Sequence, residues 1–366
     1  SRTGNLKGII IMEKGAFDFS KTPGNPSSAK RPYFNRWGFV LSFLFLLLVV
    51  GVGAFFLIRY LGDYFAYDRP SVTLAGPKGG ILSVVFSPDG QTIAGGSADG
   101  TISLWDPSTG EIRHTLKEHT ARVRTIAFSP DGKTIASGGD DRELLLWDAA
   151  NGKLRERRPL RYDVMSIAFS PDGQTIVVGS GALYLFNAAD LNGAFREIAT
   201  DEFYVLAVAF SPDGKSIAGF TRGRMKLWDV ESGSLTRTLA ENKVAVHPIV
   251  FSPDGRTLVG GSLEGKVLLW DVPGGNLKKT IDGSRGNKIS VAISPRGNSL
   301  ASGSYDYDPK TGDYHGEIEL WDLESGDLTK TLARQKVEVI SIAISPDGKI
   351  VASGNGDGTI GLWRLE

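Results

Sequence analysis

Residues that could carry chemistry are few in this chain, and their spacing does not suit catalysis or metal binding. The chain has no cysteine, which excludes disulfides and thiolate chemistry. Its four histidines are scattered without metal-ligand spacing, at His114, His119, His247 and His315. It contains no phosphate-binding loop and no H-E-x-x-H or G-x-S-x-G motif. The sequence therefore predicts a protein that is not an enzyme and has no catalytic, cofactor-binding or metal-binding residues.

The charge balance also narrows the range of partners. The 366 residues include 41 Lys and Arg and 41 Asp and Glu, so the formal net charge is zero. A neutral chain has no overall attraction for polyanions. We therefore expect no nucleic-acid partner, and we predict no small-molecule substrate.

The elements that must position any site are short strands within a repeated phrase. The stretch "VVFSPDGQTIAGGSADGTISLWD", from Val84 to Asp106, predicts three strands, and 111–116 adds a fourth. In the S-P-D-G turn, Pro fixes φ and Gly takes the left-handed position after Asp. The turn recurs at Ser87, Ser129, Ser170, Ser211, Ser252, Ser294 (as "SPRG") and Ser345, at intervals of 41 or 42 residues except the last, which is 51. An aromatic residue ends each third strand, at Trp105, Trp147, Phe186, Trp228, Trp270, Trp321 and Trp363. Seven such units predict the blades of an all-β propeller.

Over residues 71–366 these repeats resemble the WD40-repeat family, in the style of membrane-anchored bacterial members. The resemblance implies a seven-bladed propeller whose members mostly act as platforms for protein assembly. The last repeat has no outer strand after Trp363, whereas the first has one to spare at 71–76. We therefore expect 71–76 to complete blade seven, which removes an open sheet edge.

The resemblance also implies a hydrogen-bonded set of His, Ser or Thr, Asp and Trp that stabilises each blade. Only the second repeat carries all four residues, His119, Ser137, Asp141 and Trp147. Asp99 and Asp357 hold the Asp position in repeats one and seven, whereas other repeats have Arg222, Glu264 and His315 there. We interpret the complete set as structural and expect the blades of repeats four, five and six to depend mainly on apolar packing.

Two divergent repeats supply candidate partner contacts. Repeat three has Phe186-Asn187 in place of Trp-Asp, and a basic strand precedes it with Arg155, Arg157, Arg158 and Arg161. These arginines predict either a solvated edge strand or a docking site for acidic protein or lipid headgroups. Arg222 and Arg224 lie in a turn expected on the same face as Asp140, Asp141 and Arg142.

Repeat six carries an insertion, "YDYDPKTGDYHGE", at 305–317. Loops that exceed their template often carry contacts. The candidate contacts here are Asp306, Tyr307, Asp308, Lys310 and Tyr314. A calcium loop is a weaker interpretation, because Lys310 stands where an acidic ligand is required. A plain longer hairpin is the third alternative.

An uncharged run of 21 residues, 38–58, precedes the repeats. As a helix it spans roughly 31 Å, which matches a bilayer core of about 30 Å. The run is too long for a signal peptide, and bulky residues follow it. We therefore predict a polar tail (1–37), an uncleaved single-pass transmembrane helix (38–58) and a linker (59–70). Gly51, Gly53 and Ala54 form a small-residue patch that is a candidate for helix packing.

Lys and Arg residues predict the orientation of this helix. Lys21, Lys30, Arg31 and Arg36 precede it, and only Arg59 and Arg69 follow closely. The excess favours a cytoplasmic N-terminus and a periplasmic or lumenal propeller, with a cytoplasmic propeller as the alternative.

The predicted function is a non-catalytic, membrane-tethered scaffold. It would be an accessory subunit or assembly factor of a multi-subunit membrane complex, photosynthetic or respiratory, contacting other complex proteins and the bilayer. The alternatives are a propeller receptor or enzyme with a ligand in its central channel, and a membrane sensor that signals through 1–37.

Overall fold

A computed structural model describes residues 69–198, 204–239, 246–283 and 290–365. In these residues, 28 strands form seven four-stranded antiparallel sheets, which are the blades of a propeller. We name the strands of a blade a to d, with a innermost. The a strands of neighbouring blades contact one another around the centre. The seven-bladed, all-β prediction is confirmed.

The strand bounds of the first four blades follow the repeats. Blade one contains β2 (Ile81–Phe86), β3 (Ile93–Ser97), β4 (Ile102–Trp105) and β5 (Ile112–Leu116). Blade two contains β6 (Val123–Phe128), β7 (Thr134–Gly139), β8 (Glu143–Asp148) and β9 (Leu154–Pro159). Blade three contains β10 (Ser166–Phe169), β11 (Thr175–Gly179), β12 (Leu183–Asn187) and β13 (Asp190–Ile198). Blade four contains β14 (Val205–Phe210), β15 (Ser216–Thr221), β16 (Arg224–Asp229) and β17 (Leu235–Thr238).

The remaining blades include the longest hairpin and the closing strand. Blade five contains β18 (Val246–Phe251), β19 (Thr257–Ser262), β20 (Lys266–Asp271) and β21 (Asn276–Asp282). Blade six contains β22 (Ser290–Ile293), β23 (Ser299–Asp308), β24 (Asp313–Asp322) and β25 (Leu328–Gln335). Blade seven contains β26 (Val339–Ile344), β27 (Ile350–Asn355), β28 (Ile360–Arg364) and, as its d strand, β1 (Val72–Leu74).

The S-P-D-G turn between strands a and b is held by its own side chains. In blade one the Ser87 hydroxyl donates to Asp89 Oδ1 over 2.6 Å, and the same oxygen accepts the Gln91 N–H at 3.0 Å. Gly90 has a φ of +70°, which glycine adopts without strain. The turn of blade six has Arg296 instead of Asp, and there Ser294 donates to Asn298. Polar side chains thus make hydrogen bonds to turn groups that would otherwise be hydrogen-bonded to water.

The residue after the third-strand aromatic has a local role in the next turn, between strands c and d. Asp106 Oδ1 accepts the Ser108 N–H at 2.8 Å, and Asp322 Oδ1 accepts the Ser325 N–H at 2.7 Å. In blade three Asn187 substitutes for Asp, and its side-chain oxygen accepts the Ala189 N–H at 2.9 Å. The Trp-Asp ending therefore combines an aromatic residue of the core with an aspartate that accepts backbone hydrogen bonds in the following turn.

Strand β1 closes the ring. It pairs antiparallel with β28, with Val72 opposite Leu362 and Leu74 opposite Ile360. Leu74 is completely buried, in a core cluster that also contains Ile81 of blade one. One segment before the first repeat is therefore the outer strand of the last blade.

Hydroxyl groups on the a strands link neighbouring blades around the centre. Each accepts a hydrogen bond from a backbone N–H of the next blade. The pairs are Ser83 with Ile126, Thr125 with Ile167, Ser166 with Val208, Ser290 with Ile342, and Ser341 with Val84. Ala207 and Pro248 occupy the equivalent positions of blades four and five, where no hydroxyl is available.

Long side chains on the d strands make a second set of links at the rim. Each donates to a backbone carbonyl in the c–d turn of the following blade. They are His114 to Ala150, Arg196 to Val230 and Glu231, Arg237 to Val272 and Pro273, and Lys279 to Ser325. Apolar clusters fill the space between each pair of blades. The ring is thus held at the centre, between the blades and at the rim.

The predicted tail, transmembrane helix and most of the linker lie outside the described residues, as do Gly51, Gly53 and Ala54. Within the described residues, no helix is long and apolar enough to span a membrane.

Candidate functional site on the b–c face

The two faces of the ring differ in the variety of their turns. One face, which we call the SPDG face, carries the near-identical a–b turns and the c–d turns. The other, the b–c face, carries the turns between strands b and c and the connections from one blade to the next. The b–c connections differ in length. The connection of blade three is the short Ser180–Ala182 turn, whereas that of blade six is extended by a hairpin whose two strands are ten residues long. The b–c face is therefore the variable face of the disc.

The four residues singled out in repeat two form one hydrogen-bonded chain below this face. Asp141 Oδ2 lies 2.8 Å from His119 Nδ1, and His119 Nε2 lies 2.7 Å from the Ser137 hydroxyl. The same hydroxyl accepts the Trp147 Nε1–H at 2.7 Å. The His119 side chain is fully buried and that of Asp141 is 3% exposed. Such a closed chain holds the d–a connection to the sheet and presents no reactive atom to a substrate.

Asp141 also fixes the turn around it. Its carboxylate accepts the backbone N–H groups of Thr120 and Glu143. Burial raises the pKa of Asp141, but the His119 hydrogen bond, the His119 charge and these backbone donors outweigh it, so that the pKa falls below its usual value. The carboxylate therefore stays ionised in the folded protein at neutral pH.

In the incomplete repeats, the indole N–H groups of the third-strand tryptophans find hydrogen-bond acceptors in different ways. Trp321 and Trp363 donate to Ser302 and Ser353 at 2.8 and 3.0 Å. In repeat seven, Gln335, at the end of β25, replaces the histidine and donates to Asn355 of blade seven over 2.8 Å. Blades six and seven thus have buried polar contacts in addition to their apolar packing.

The predicted basic strand is on the rim, where its first two arginines have partners within the chain. Arg155 lies 2.6 Å from Asp148 and also donates to Thr134. Arg157 lies 3.0 Å from Glu118. Both guanidinium groups are about two-fifths exposed, with side-chain values of 44% and 41%. They stabilise blade two and its entry loop, which limits their use as a docking strip.

Arg158 links blade two to the divergent blade three. Its guanidinium lies 4.9 Å from the ring centroid of Phe195, and Phe195 stacks on Phe186 at 5.4 Å. Glu156, on the same strand, accepts the Leu191 N–H at 2.8 Å. Where Phe186 replaces Trp, this neighbouring strand supplies contacts to the rim of the blade.

Arg161 is separated from these arginines and lies on the b–c face, in the connection that follows β9. Its guanidinium lies 5.3 Å from the ring of Tyr162, which meets Tyr204 edge-on at 5.9 Å. Arg222 is exposed in the b–c turn of blade four, and Arg224 is exposed at the start of β16. Arg142 is exposed in the b–c turn of blade two and lies 3.4 Å from Asp163. Arg142, Tyr204 and Arg222 all have positive φ, which is uncommon for residues other than glycine. Asp140, Asp141 and Asp163 lie among these arginines. We call this arginine- and tyrosine-bearing part of the b–c face, on blades two to four, its basic, aromatic end.

Blades six and seven form an acidic end. The insertion is a continuous hairpin of β23 and β24 that ends in the turn at 309–312. It carries Asp306, Asp308 and Asp313 together with exposed Tyr307 and Tyr314. The five candidate contacts predicted in the insertion, Asp306, Tyr307, Asp308, Lys310 and Tyr314, thus belong to one hairpin. Within the described residues, no group of three His, Asp or Glu side chains is arranged to hold a metal ion.

Sequence reasoning missed the residues that extend this acidic end. Glu338, in the connection to blade seven, is half-buried beside the b–c turn that contains Asp357. Tyr305 packs edge-on to Tyr314 at 6.1 Å. The signal for Tyr305 was its place inside the insertion, two positions before Tyr307. Glu338 has no pattern of its own in the sequence.

A further groove lies on the rim beside blade three and has a volume of about 1230 Å³. Phe195 and Phe186 line it, together with Arg155, Arg196 and Asp172. Its aromatic wall is not evident from one repeat, because side chains of three blades form the groove.

A closed ring of seven antiparallel blades, with a rigid frame and one variable face, defines a seven-bladed β-propeller. The family model described as "WD domain, G-beta repeat" matches seven segments, 68–106, 110–148, 159–183, 196–229, 233–271, 275–308 and 326–364. These segments cover more than half of the chain, which therefore belongs to the WD-repeat family. The shortest match, 159–183, falls on the divergent repeat three.

Curated relatives share only local similarity with this chain. It is 31% identical over 118 residues to Protein tipD of Dictyostelium discoideum, which is 32% of this chain and 19% of that protein. It is 49% identical over 43 residues to the probable serine/threonine-protein kinase PkwA of Thermomonospora curvata, 12% of this chain and 6% of the relative. It is 43% identical over 54 residues to the nuclear distribution protein PAC1-1 of Uncinocarpus reesii, 15% and 12% of the two chains. The matched region is thus less than a fifth of the length of each relative.

Proposed function

We propose that this protein is a non-catalytic, membrane-tethered scaffold that binds partner proteins through its b–c face. It would serve as an accessory subunit or assembly factor of a multi-subunit membrane complex, of the photosynthetic or respiratory kind. The single observation that carries the proposal is the polarity of that face. A basic, aromatic end on blades two to four is opposed by an acidic, tyrosine-bearing end on blades six and seven. Separate charged ends give an interface a defined orientation as well as affinity.

The frame below this face supports the proposal, because a scaffold must hold its loops in fixed positions. The Ser137 hydroxyl joins His119 to Trp147 in blade two, and β1 leaves the ring with no open edge at blade seven. Loops on such a frame lose little conformational freedom on binding.

The membrane part of the proposal depends on residues 38–58. Their 21 uncharged residues suit a single span, with a cytoplasmic N-terminus favoured by the preceding Lys and Arg. Deletion of 38–58 should release the chain from alkaline-washed membranes, whereas deletion of 5–25 should not. Retention of the 38–58 deletion on washed membranes would contradict the anchor.

Extraction of native membranes in a mild detergent, native gel separation and mass spectrometry would test the scaffold role. A subunit is expected to migrate in a large complex at a fixed ratio to its partners. A variant with Arg161→Glu and Arg222→Glu on the b–c face should leave that complex. The matched control, Lys153→Glu with Lys278→Glu, makes the same charge change away from this face and should stay in it. Migration of the wild-type chain alone, at 39.3 kDa plus detergent, would overturn the proposed function.

A further inference from the structure

The blade-six hairpin has two chemically different sides. Alternate residues of a strand share a side, and the register places Tyr307 opposite Tyr314 and Tyr305 opposite Gly316. The three tyrosines therefore share one side, which we call the tyrosine face. Tyr314 lies 5.0 Å from Tyr307 and 6.1 Å from Tyr305 between ring centroids. Tyr307 and Tyr314 are 45% and 39% exposed, although most of an aromatic side chain is usually buried in a folded protein.

The base of the tyrosine face lies against the connection to blade seven. A Cβ atom at Gly316 would lie 2.2 Å from the backbone oxygen of Val337, so only glycine permits this approach. In the same connection, the Glu338 carboxylate packs on Gly356, the residue before Asp357. The tyrosine face thus leads directly to two carboxylates, Glu338 and Asp357, which we call the carboxylate pair.

These two carboxylates repel each other, and neither has a cationic partner in the ion pairs of the described residues. Burial raises the pKa of Glu338, and the negative charge of Asp357 raises it further. Among the described residues, none of the ion pairs involves Glu338. Burial also raises the pKa of Tyr305, with a second contribution from Glu338. A positive charge placed here would remove an unfavourable interaction that the free protein retains.

The hairpin itself adds to the negative potential. Its residues 304–317 contain four carboxylates and one lysine, a net charge of −3 at neutral pH: Asp306, Asp308, Asp313, Glu317 and Lys310. Only Glu317 has a cationic partner in the described ion pairs, Arg334 at 2.9 Å. The whole hairpin therefore favours an approaching cation over an anion.

We propose that the tyrosine face and the carboxylate pair together bind an extended, arginine- or lysine-rich segment of a partner protein. One cationic side chain lies over the rings of Tyr307 and Tyr314, and another lies between Glu338 and Asp357. Exposed aromatic area and charge complementarity both select this occupant over an acidic or purely apolar one. The inference rests on the proposed scaffold function and specifies the chemistry of one partner.

The opposite end of the b–c face provides a comparison within the same molecule. There, Tyr162 and Tyr204 also meet edge-on, but the chain supplies its own cation, Arg161, at 5.3 Å from the Tyr162 ring. A tyrosine pair that already has a guanidinium has little to gain from a second one. Tyr204 is therefore a matched control for Tyr307 and Tyr314.

Fluorescence anisotropy on the full chain in a nonionic detergent tests the inference. The probe is a labelled ten-residue peptide of alternating Arg and Gly, and the control peptide has Glu in place of Arg. The variants are Tyr307→Ala with Tyr314→Ala, and Glu338→Gln. The control variants are Tyr204→Asn and, in the c–d turn on the SPDG face, Glu324→Gln. Circular dichroism and the melting temperature establish that each variant is folded.

The Arg peptide is expected to bind and the Glu peptide is not. Loss of both tyrosines should weaken Arg-peptide binding roughly 5- to 30-fold, as two cation–π contacts would. Glu338→Gln should weaken it about two- to fivefold. Both control variants should bind as the wild type does. Absence of Arg-peptide binding to the wild type, or equal losses in Tyr204→Asn, would overturn the inference.

The inference and the proposed function can fail separately. Suppose that the wild type does not bind the Arg peptide but migrates in a native complex, and that the Arg161→Glu, Arg222→Glu variant leaves this complex. The hairpin inference is then wrong and the scaffold role stands. If the Arg peptide binds through Tyr307 and Tyr314 but the chain migrates alone on native gels, the complex subunit proposal is wrong and the hairpin inference stands.

Discussion

The Nε1–H of Trp105 donates to the backbone oxygen of Ala75 over 2.9 Å. Ala75 directly follows β1, so one short segment both completes the sheet of blade seven and satisfies the indole of blade one. Blade one needs this partner, since Gly95 stands where Ser137 stands in blade two. Closure of the ring and the integrity of the first blade are therefore coupled.

Leu74→Ala should destabilise the propeller far more than Val72→Ala on the same strand. Leu74 is fully buried between blades seven and one, whereas Val72 is 36% exposed. Removal of a buried Leu side chain typically costs about 2–5 kcal/mol, because a cavity remains. An exposed Val side chain contributes less than about 1 kcal/mol. Urea unfolding of both variants measures the difference, and equal midpoints would show that β1 does not close the ring.

Trp147→Phe and Trp270→Phe should differ in cost although the side-chain change is the same. Trp147 donates to Ser137 at 2.7 Å, whereas Trp270 Nε1 is buried without an acceptor in the part of the chain that the structure describes. Trp147→Phe breaks a buried chain of hydrogen bonds, which adds about 1–3 kcal/mol to the loss of packing. Trp270→Phe removes a donor that gains nothing from folding. Thermal unfolding should therefore give the lower melting temperature for Trp147→Phe, and the reverse order would contradict this account.

The repeats alone allowed the blades, their turns and the closing strand to be anticipated. The blades and turns depend on a local pattern, and the closing strand follows from the number of outer strands in the repeats. The S-P-D-G turns carry their own hydrogen-bonding residues, and His119, Ser137, Asp141 and Trp147 all lie within one repeat. Contacts between blades could not be predicted from the pattern of a single repeat. The partners of Arg157 and Arg158 are Glu118 and Phe195, which lie in neighbouring repeats.

The candidate site could be anticipated only in part, because only part of it has a pattern in the sequence. Its hairpin is visible as an insertion in the sequence. The approach of Glu338 to Gly356 depends on the path of two connections, and no repeat pattern encodes that path. The transmembrane helix at 38–58 stays a prediction of the sequence.

The central ring of hydroxyl links predicts one loss and one gain of stability. Ser166 accepts the Val208 N–H at 3.1 Å, and Ser166→Ala should lower the free energy of unfolding by about 1 kcal/mol. Ala207 is the equivalent residue of blade four and faces the a strand of blade five. Ala207→Ser should supply the missing acceptor and raise the free energy of unfolding by about 0.5–1 kcal/mol. Urea titration of the two variants tests the pair, and destabilisation by Ala207→Ser would show that the hydroxyl cannot reach a donor.

Acid should weaken the propeller through its S-P-D-G turns. Six of the turns hold an aspartate whose pKa lies below the usual 3.8, chiefly because the serine hydroxyl donates to it: Asp89, Asp131, Asp172, Asp213, Asp254 and Asp347. A lowered pKa in the folded state means that the unfolded chain binds more protons between the two pKa values. The stabilisation is therefore complete above the unfolded value of about 3.9 and is lost as the pH falls through the folded values.

Asp172→Asn isolates one of these six turns. Asparagine keeps an oxygen that can accept the Ser170 hydroxyl and the Gln174 N–H, but it does not titrate. The variant should be less stable than the wild type at pH 7, because a neutral acceptor makes weaker hydrogen bonds than a carboxylate. The difference between the two melting temperatures should shrink as the pH falls from 5 to 2, since the wild type then loses the charge that the variant never had. Melting curves across this range measure the difference. A gap that stays constant would show that the Asp172 carboxylate has the same pKa in the folded and unfolded chains.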